Sequence, residues 1–125
     1  MIGYVTLGTN DLQRAVKFFD ALFASMGIPR FMEQPDRFVA WATSHHSPSV
    51  SVTKPFDGKP ASIGNGVMVA LSRKNRAEVD ATYKKALELG ATSEGEPGPR
   101  MAGFYAAYFR DLDGNKFNAF CVESG

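Results

Sequence analysis

The sequence is poor in residues that define whole classes of protein. Its 125 residues include one cysteine, Cys121, so no disulfide can form within the chain, and this usage is typical of a reducing compartment. The only two histidines are adjacent, at His45 and His46. No run of about 18 apolar residues is present, so no membrane-spanning helix is predicted. We therefore expect a cytoplasmic protein without a membrane partner, and we interpret Cys121 as a small buried residue.

An excess of charge of one sign is also lacking. The chain has 14 Lys and Arg residues against 13 Asp and Glu residues, a net charge of +1. No basic cluster is longer than two neighbours, so the electrostatic pattern of a nucleic-acid-binding protein is absent. The opening MIGYVTLGTNDL has no basic region followed by a long apolar stretch, so no signal peptide is expected.

The first half of the chain reads as one strand, one helix and three further strands. Apolar residues recur at helical spacing over residues 11–26, with Asn10 predicted as the N-cap and Gly27 as the end of the helix. Alternation of apolar and polar residues predicts strands at 2–8, 30–34, 38–43 and 49–54.

The second half repeats this order. A strand is predicted at 67–72, followed by a helix that Asn75 caps and Gly90 ends. A short strand at 91–93 and a Gly- and Pro-rich loop at 93–100 then precede a hairpin, with strands 103–110 and 116–122 around the turn Asp113-Gly114.

This internal repeat predicts an α+β fold. Leu7 matches Leu71 and Phe19 matches Tyr83 at the same spacing, so residues 1–125 form a single domain of two βαβββ modules. Module one spans about residues 1–60 and module two about 64–125. The two modules are expected to pair into a curved eight-stranded sheet around a cup, with the helices outside.

Three segments carry a resemblance to a known family. NDLQRAVKFFDALF follows the first strand, GNGVMVALS enters the second helix, and FYAAYFRDLDGNKFNAF closes the chain. In this order they resemble the vicinal oxygen chelate superfamily, which includes glyoxalase I, bleomycin-resistance proteins, fosfomycin-resistance enzymes and extradiol dioxygenases. Leu112 replaces the proline that is usual in the closing hairpin of that family.

The resemblance implies a divalent metal held by up to four residues that face the cup, two from each module. The family's ligand positions fall on Tyr4, on Ser51 (or Ser49), on Met68 and on Asn118. A phenol, a hydroxyl, a thioether and an amide supply neither imidazole nor carboxylate, the ligands that Ni²⁺, Zn²⁺ or Fe²⁺ prefers. We therefore expect no catalytic metal and no other cofactor, and we assign these four residues to ligand binding.

Other residues are further candidates for the same pocket. Arg100 follows a Gly-Pro loop and is either a clamp for a carboxylate or phosphate, or a partner in a surface ion pair. Trp41, Tyr105 and Tyr108 are core or cavity-wall residues, and Trp41 and Tyr108 are assigned to ligand binding as stacking surfaces. The pair His45-His46 and the carboxylates Asp111 and Asp113 are interpreted as loop and turn residues.

The sequence therefore favours a glyoxalase-like homodimer that binds a small organic molecule in a metal-free pocket. Whether it also catalyses a reaction is left open. The alternative is a metal-dependent lyase or isomerase of the lactoylglutathione lyase type, or a dioxygenase, with ligands elsewhere in the chain. A pure interaction module, in which side chains fill the cup, is a third possibility.

Overall fold

The computed structural model of the protein describes residues 1–123, and the chain forms two compact units. The first is Met1–Ile63 and the second begins at Gly64; we call them module one and module two. Each contains one helix and four strands. Module one consists of β1 (Tyr4–Gly8), α1 (Leu12–Ser25), β2 (Arg30–Gln34), β3 (Phe38–Trp41) and β4 (Ser49–Thr53), and module two of β5 (Val69–Ser72), α2 (Arg76–Glu88), β6 (Thr92–Met101), β7 (Phe104–Arg110) and β8 (Lys116–Val122).

The strands are connected identically in the two modules. The sheet order is β1-β4-β3-β2 in module one and β5-β8-β7-β6 in module two. In both sheets the first strand pairs in parallel with the last strand, and the other neighbours are antiparallel. The predicted α+β class and the two βαβββ modules are thus confirmed, with the eight strands divided into two four-stranded sheets.

The core of module one is aromatic. Phe19, Leu22 and Phe23 lie at helical spacing on α1 and are at most 2% exposed. The ring of Trp41 lies 5.6 Å from the rings of both Phe19 and Phe23, measured between centroids. Burial of each such side chain stabilises a fold by about 1.5–3 kcal/mol, so this cluster fixes α1 against one face of the sheet.

The core of module two is built from smaller side chains. Val79 of α2 packs against Ala107, Ala119 and Cys121, all at most 1% exposed. Burial raises the pKa of the Cys121 thiol, as expected for a buried, unreactive cysteine. Within residues 1–123, no helix is long and apolar enough to cross a membrane.

The first helix begins one residue later than predicted. Its N-cap is Asp11, whose side chain accepts a hydrogen bond from the backbone N–H of Arg14. The predicted cap, Asn10, instead exchanges two hydrogen bonds with the backbone of Ala61. Since Asn and Asp are equally good N-caps, the sequence alone could not choose between these neighbours. The second cap, Asn75, is confirmed, and it accepts from the backbone N–H of Glu78 at 2.9 Å.

The largest difference from the sequence prediction concerns β6. Residues 93–100, predicted as a loop, belong to a ten-residue strand that pairs with β7. Three register shifts interrupt this pairing, and β6 is the edge strand of its sheet. Edge position and bulges are the two circumstances in which a strand tolerates Pro and Gly, which explains the misleading composition.

The closing turn uses the carboxylate of Asp111, as predicted from its position. The Oδ1 atom of Asp111 accepts hydrogen bonds from the backbone N–H groups of Asp113 and Asn115, at 2.9 and 2.8 Å. The Asp111 side chain is buried, and desolvation raises its pKa, with the hydrogen bonds opposing that effect. Gly114 adopts a positive φ of 90° in the same turn. Asp111 is thus explained by turn structure.

Candidate functional site

The face of the module-one sheet opposite α1 contains a cavity. Strand alternation sends Val39, Trp41 and Val52 into the buried core and leaves their neighbours on the other face. The cavity has a volume of about 410 Å³, within the range of small-molecule pockets. It is lined by Tyr4, Thr6, Phe31, Met32, Phe38, Ala40, Ser49, Ser51 and Thr53. Hydroxyl groups are its polar components, and none of these side chains carries a formal charge.

Ser51 lies at the centre of this wall. In the strand ladders it is directly opposite Thr6 on one side and Ala40 on the other. The Oγ atoms of Ser51 and Thr6 are 2.9 Å apart, and Ser51 also donates to the carbonyl of Val5 at 3.4 Å. Ser51 is only 6% exposed, so its hydroxyl is buried and already satisfied by the protein.

Tyr4 lies at the exposed part of the cavity, with 71% of its surface accessible. Phe31 contributes an aromatic wall, and its ring packs edge-on against His45 at 4.7 Å between centroids. Tyr4, Ser49 and Ser51 were predicted from the sequence as binding residues, and the other six lining residues were not. Strand parity would have identified Thr6 and Thr53, since they lie two residues from Tyr4 and from Ser51.

The corresponding face of module two carries Asn118. In the ladders Asn118 is opposite Ala70 of β5 and Tyr108 of β7. It is 2% exposed, and its Oδ1 atom has no hydrogen-bond partner among residues 1–123. A buried acceptor without a partner costs about 1–3 kcal/mol, so this carbonyl oxygen is an unsatisfied polar atom of module two.

Two cationic side chains converge on Tyr108. The guanidinium carbon of Arg100 lies 5.4 Å from the centroid of the Tyr108 ring, and the ammonium nitrogen of Lys116 lies 5.6 Å from it. Both distances are within the range of cation–π interactions. Lys116 was missed by sequence analysis, although it is two residues before Asn118 and hence on the same face of β8.

Two other candidates, Trp41 and Tyr105, are placed apart from these faces. Trp41 is 2% exposed in the core of module one, and its indole N–H donates to Asp20 at 2.9 Å. Hydrogen bonds from Arg30 and then Trp41 lower the pKa of Asp20. Tyr105 donates its hydroxyl to Asp80 at 2.7 Å, which raises the pKa of Tyr105. These placements give no support to Trp41 as a stacking surface.

The side chains at the four family ligand positions do not suit the divalent metal that the resemblance implies. Met68 precedes β5 and is 42% exposed, and the hydroxyl of Ser51 is already engaged by Thr6 and Val5. A phenol, a hydroxyl, a thioether and an amide leave the charge of a divalent ion without a compensating anion. In the part of the chain that the structure describes, no group of three or more His, Cys, Asp or Glu side chains could hold a metal ion. The residues present therefore do not fit such a metal.

Comparison with known proteins identifies relatives over most of the chain. The family model of the Glyoxalase/Bleomycin resistance protein/Dioxygenase superfamily matches residues 1–119. A glyoxalase/bleomycin resistance protein from Albidiferax ferrireducens T118 is 32% identical, with a TM-score of 0.88 and coverage of 97% of this chain and 98% of that chain. A hypothetical protein from S. aureus is 26% identical, with a TM-score of 0.76 and coverage of 95% and 91%.

More distant solved structures share the fold alone. A lactoylglutathione lyase from Agrobacterium tumefaciens is 20% identical, with a TM-score of 0.71 and coverage of 97% of this chain and 92% of that chain. A search of curated proteins gave no match.

Proposed function

Because this chain belongs to the glyoxalase/bleomycin resistance protein/dioxygenase superfamily, we propose that it binds a small organic molecule without a catalytic metal. The observation that carries the proposal is the cavity of about 410 Å³ on the open face of module one. Its walls combine aromatic and aliphatic side chains with a few hydroxyl groups, the usual composition of a pocket for an uncharged or weakly polar ligand.

The chemistry of the family's ligand positions supports the metal-free part of the proposal. Ser51 is held by hydrogen bonds within module one, and the amide of Asn118 is a weak ligand for a divalent transition metal. A metal-dependent lyase, isomerase or dioxygenase would need imidazole or carboxylate ligands, and these positions supply neither. The proposed role is therefore ligand binding, as in sequestration, with any reaction being independent of a metal.

The cavity is tested with an uncharged aromatic probe, 2-naphthol, in amide-detected NMR titrations. We expect saturable shifts at Thr6, Ala40 and Ser51. The substitution Ala40→Leu extends a side chain from the cavity wall into its volume and should abolish these shifts. The matched control is Ala24→Leu, which adds the same atoms at an exposed position of α1 and should leave binding unchanged.

Two results would overturn the cavity as a binding site. One is the absence of saturable shifts in the wild-type protein up to the solubility of the probe. The other is equal binding by the wild type and by a folded Ala40→Leu variant. The proposal also includes the homodimer expected from the sequence, and the mass measured by sedimentation equilibrium tests that part separately.

A further inference from the structure

We infer that the open face of the module-two sheet recognises an aromatic organic acid that carries a hydroxyl group beside its acid group. By open face we mean the side of the sheet opposite α2, with Arg100, Tyr108, Lys116, Asn118 and Phe120. The inference goes beyond the proposed function, because it concerns a second face and a charged ligand, whereas the cavity of module one suits an uncharged or weakly polar ligand.

Ser51 in module one and Asn118 in module two occupy equivalent positions but differ in their hydrogen bonding. Ser51 is at the centre of β4 and is opposite Thr6 of β1 in the parallel ladder. Asn118 is the third residue of β8 and is opposite Ala70 of β5. In module one the buried hydroxyl of Ser51 has Thr6 as its partner. In module two Ala70 has no polar side-chain atom, so Oδ1 of Asn118 is buried without a partner.

The unsatisfied oxygen of Asn118 determines which chemical group a ligand must present to it. A carboxamide oxygen only accepts hydrogen bonds, so the ligand must present an O–H or N–H group to Asn118. Such a bond would remove the cost of the unsatisfied acceptor, and this gain is available only when the ligand is bound.

Two positively charged side chains lie beside Asn118. Arg100 and Lys116 both lie over the ring of Tyr108, which is opposite Asn118 in the ladder. Among residues 1–123 neither cation lies within ion-pair distance of a carboxylate. The nearby acid Glu94 is bonded to Arg110, which lowers the pKa of Glu94, and Lys116 adds a weaker effect in the same direction. An anionic group of a ligand could therefore form charge-assisted hydrogen bonds with these cations that no carboxylate of the protein forms.

The position of Arg100 depends on two glycines of β6. A Cβ atom added at Gly98 would lie 3.0 Å from Nη1 of Arg100, and one added at Gly95 would lie 3.3 Å from Nη2. The guanidinium also donates to the backbone carbonyl of Glu96. The side chain of Arg100 is therefore folded back over the strand, where the absence of side chains leaves room for it.

An aromatic surface continues the face beyond Asn118. Phe120 is the next residue of β8 on this side, and its ring stacks on Phe104 with centroids 5.5 Å apart. Successive residues on one face of a strand are separated by about 7 Å. A cation, an acceptor and an aromatic surface thus follow one another along β8, in the same order as the acid group, the hydroxyl group and the phenyl ring of such a ligand. Both cationic groups lie over Tyr108, which is opposite Asn118, so the positive charge is closer to the acceptor than the spacing along the strand suggests.

The test uses three aromatic 2-hydroxy acids of increasing length: mandelate, 3-phenyllactate and 2-hydroxy-4-phenylbutyrate. Each is compared with its uncharged carboxamide, and 3-phenyllactate is also compared with 3-phenylpropionate, which lacks the hydroxyl group. Dissociation constants are measured by NMR titration, with the side-chain amide resonances of Asn118 as the local readout. Arg100→Gln and Lys116→Gln remove the two cations, and Lys84→Gln, at an exposed position of α2, is the control for net charge.

We expect at least one hydroxy acid to shift the Asn118 resonances and to bind about tenfold more tightly than its carboxamide. This preference should be lost in Arg100→Gln and Lys116→Gln but kept in Lys84→Gln. The wild type should bind 3-phenylpropionate, which lacks the hydroxyl group, more weakly than 3-phenyllactate. A folded Asn118→Leu variant should bind these two acids equally tightly.

The inference is overturned if none of the three acids shifts Asn118, or if the preference for the acid survives in both cation variants. In either case, saturable binding of 2-naphthol that Ala40→Leu removes would leave the proposed function intact. If neither the acids nor 2-naphthol bind, the proposed function fails together with the inference.

Discussion

At the scale of single residues, Ser51 and Asn118 show how one position of a repeated fold acquires two chemistries. Each is a buried polar residue, the third in the last strand of its module. The neighbour on the parallel strand decides the outcome, because Thr6 supplies a hydroxyl group and Ala70 does not. Ser51 therefore contributes to the stability of module one, whereas Asn118 has an unmet acceptor that a ligand can use.

This contrast predicts opposite effects of removing the two polar groups. Ser51→Ala should reduce the free energy of unfolding by about 1 kcal/mol, because it breaks the hydrogen bond to Thr6. Asn118→Leu, of similar shape, should leave stability unchanged or raise it by up to about 1 kcal/mol, because it removes an unsatisfied buried acceptor. Urea unfolding of the two variants measures both values, and a larger loss in Asn118→Leu than in Ser51→Ala would contradict this account.

At the scale of elements, the sequence correctly predicted the helices and strands that are determined by hydrophobic periodicity and by turn residues. The stripe of Phe19, Leu22 and Phe23 specified α1, and the closing hairpin followed from its Asp-Gly turn and alternating strands. The prediction failed at β6, where Gly and Pro normally signal a loop. Pairing of β6 with β7 supplies its backbone hydrogen bonds, and a sequence read one segment at a time does not contain that information.

The turn between β6 and β7 provides a prediction about glycine. Gly103 has a φ of 75°, and a Cβ atom there would lie 2.8 Å from the backbone carbonyl oxygen of Glu123. Gly27, at the end of α1, has a φ of 76° with nothing within 4 Å of such an atom. Gly27→Ala should cost about 1 kcal/mol of backbone strain, and Gly103→Ala at least twice as much, because a clash with backbone is added.

Urea midpoints of these two variants separate the contributions of strain and clash. Equal losses of stability would show that the carbonyl of Glu123 moves aside at little cost. That result would contradict the close contact between Gly103 and Glu123, in which the backbone N–H of Glu123 donates to the carbonyl of Gly103 at 2.8 Å.

At the scale of the whole molecule, the fold was predictable because it is a repeat. Two βαβββ modules in the same order leave few alternative topologies, and the structure has the same strand order in both. The candidate site was predictable only in part. Counting from family motifs gave Tyr4, Ser51 and Asn118 as residues that face the cup. The lining residue Phe38 and the contact of Lys116 with the Tyr108 ring became evident only from the structure.

The limit on predicting the site has a physical cause. Membership of the superfamily specifies backbone positions, but the chemistry of a pocket depends on which side chains approach each other across strands. The partner of Ser51, the absence of a partner for Asn118 and the placement of two cations on Tyr108 are properties of pairs. None of them follows from the residue type at a single position.

The central claim is that this chain, built on a fold often used for metal-dependent chemistry, binds its ligand without a metal. The most direct measurement is the metal content of the purified protein by mass spectrometry, repeated after incubation with Ni²⁺, Zn²⁺, Mn²⁺ and Fe²⁺ and desalting. We predict that no ion is retained near one per chain, because the family's ligand positions lack imidazole and carboxylate groups. Near-stoichiometric retention that is lost in both Ser51→Ala and Asn118→Ala would contradict the claim.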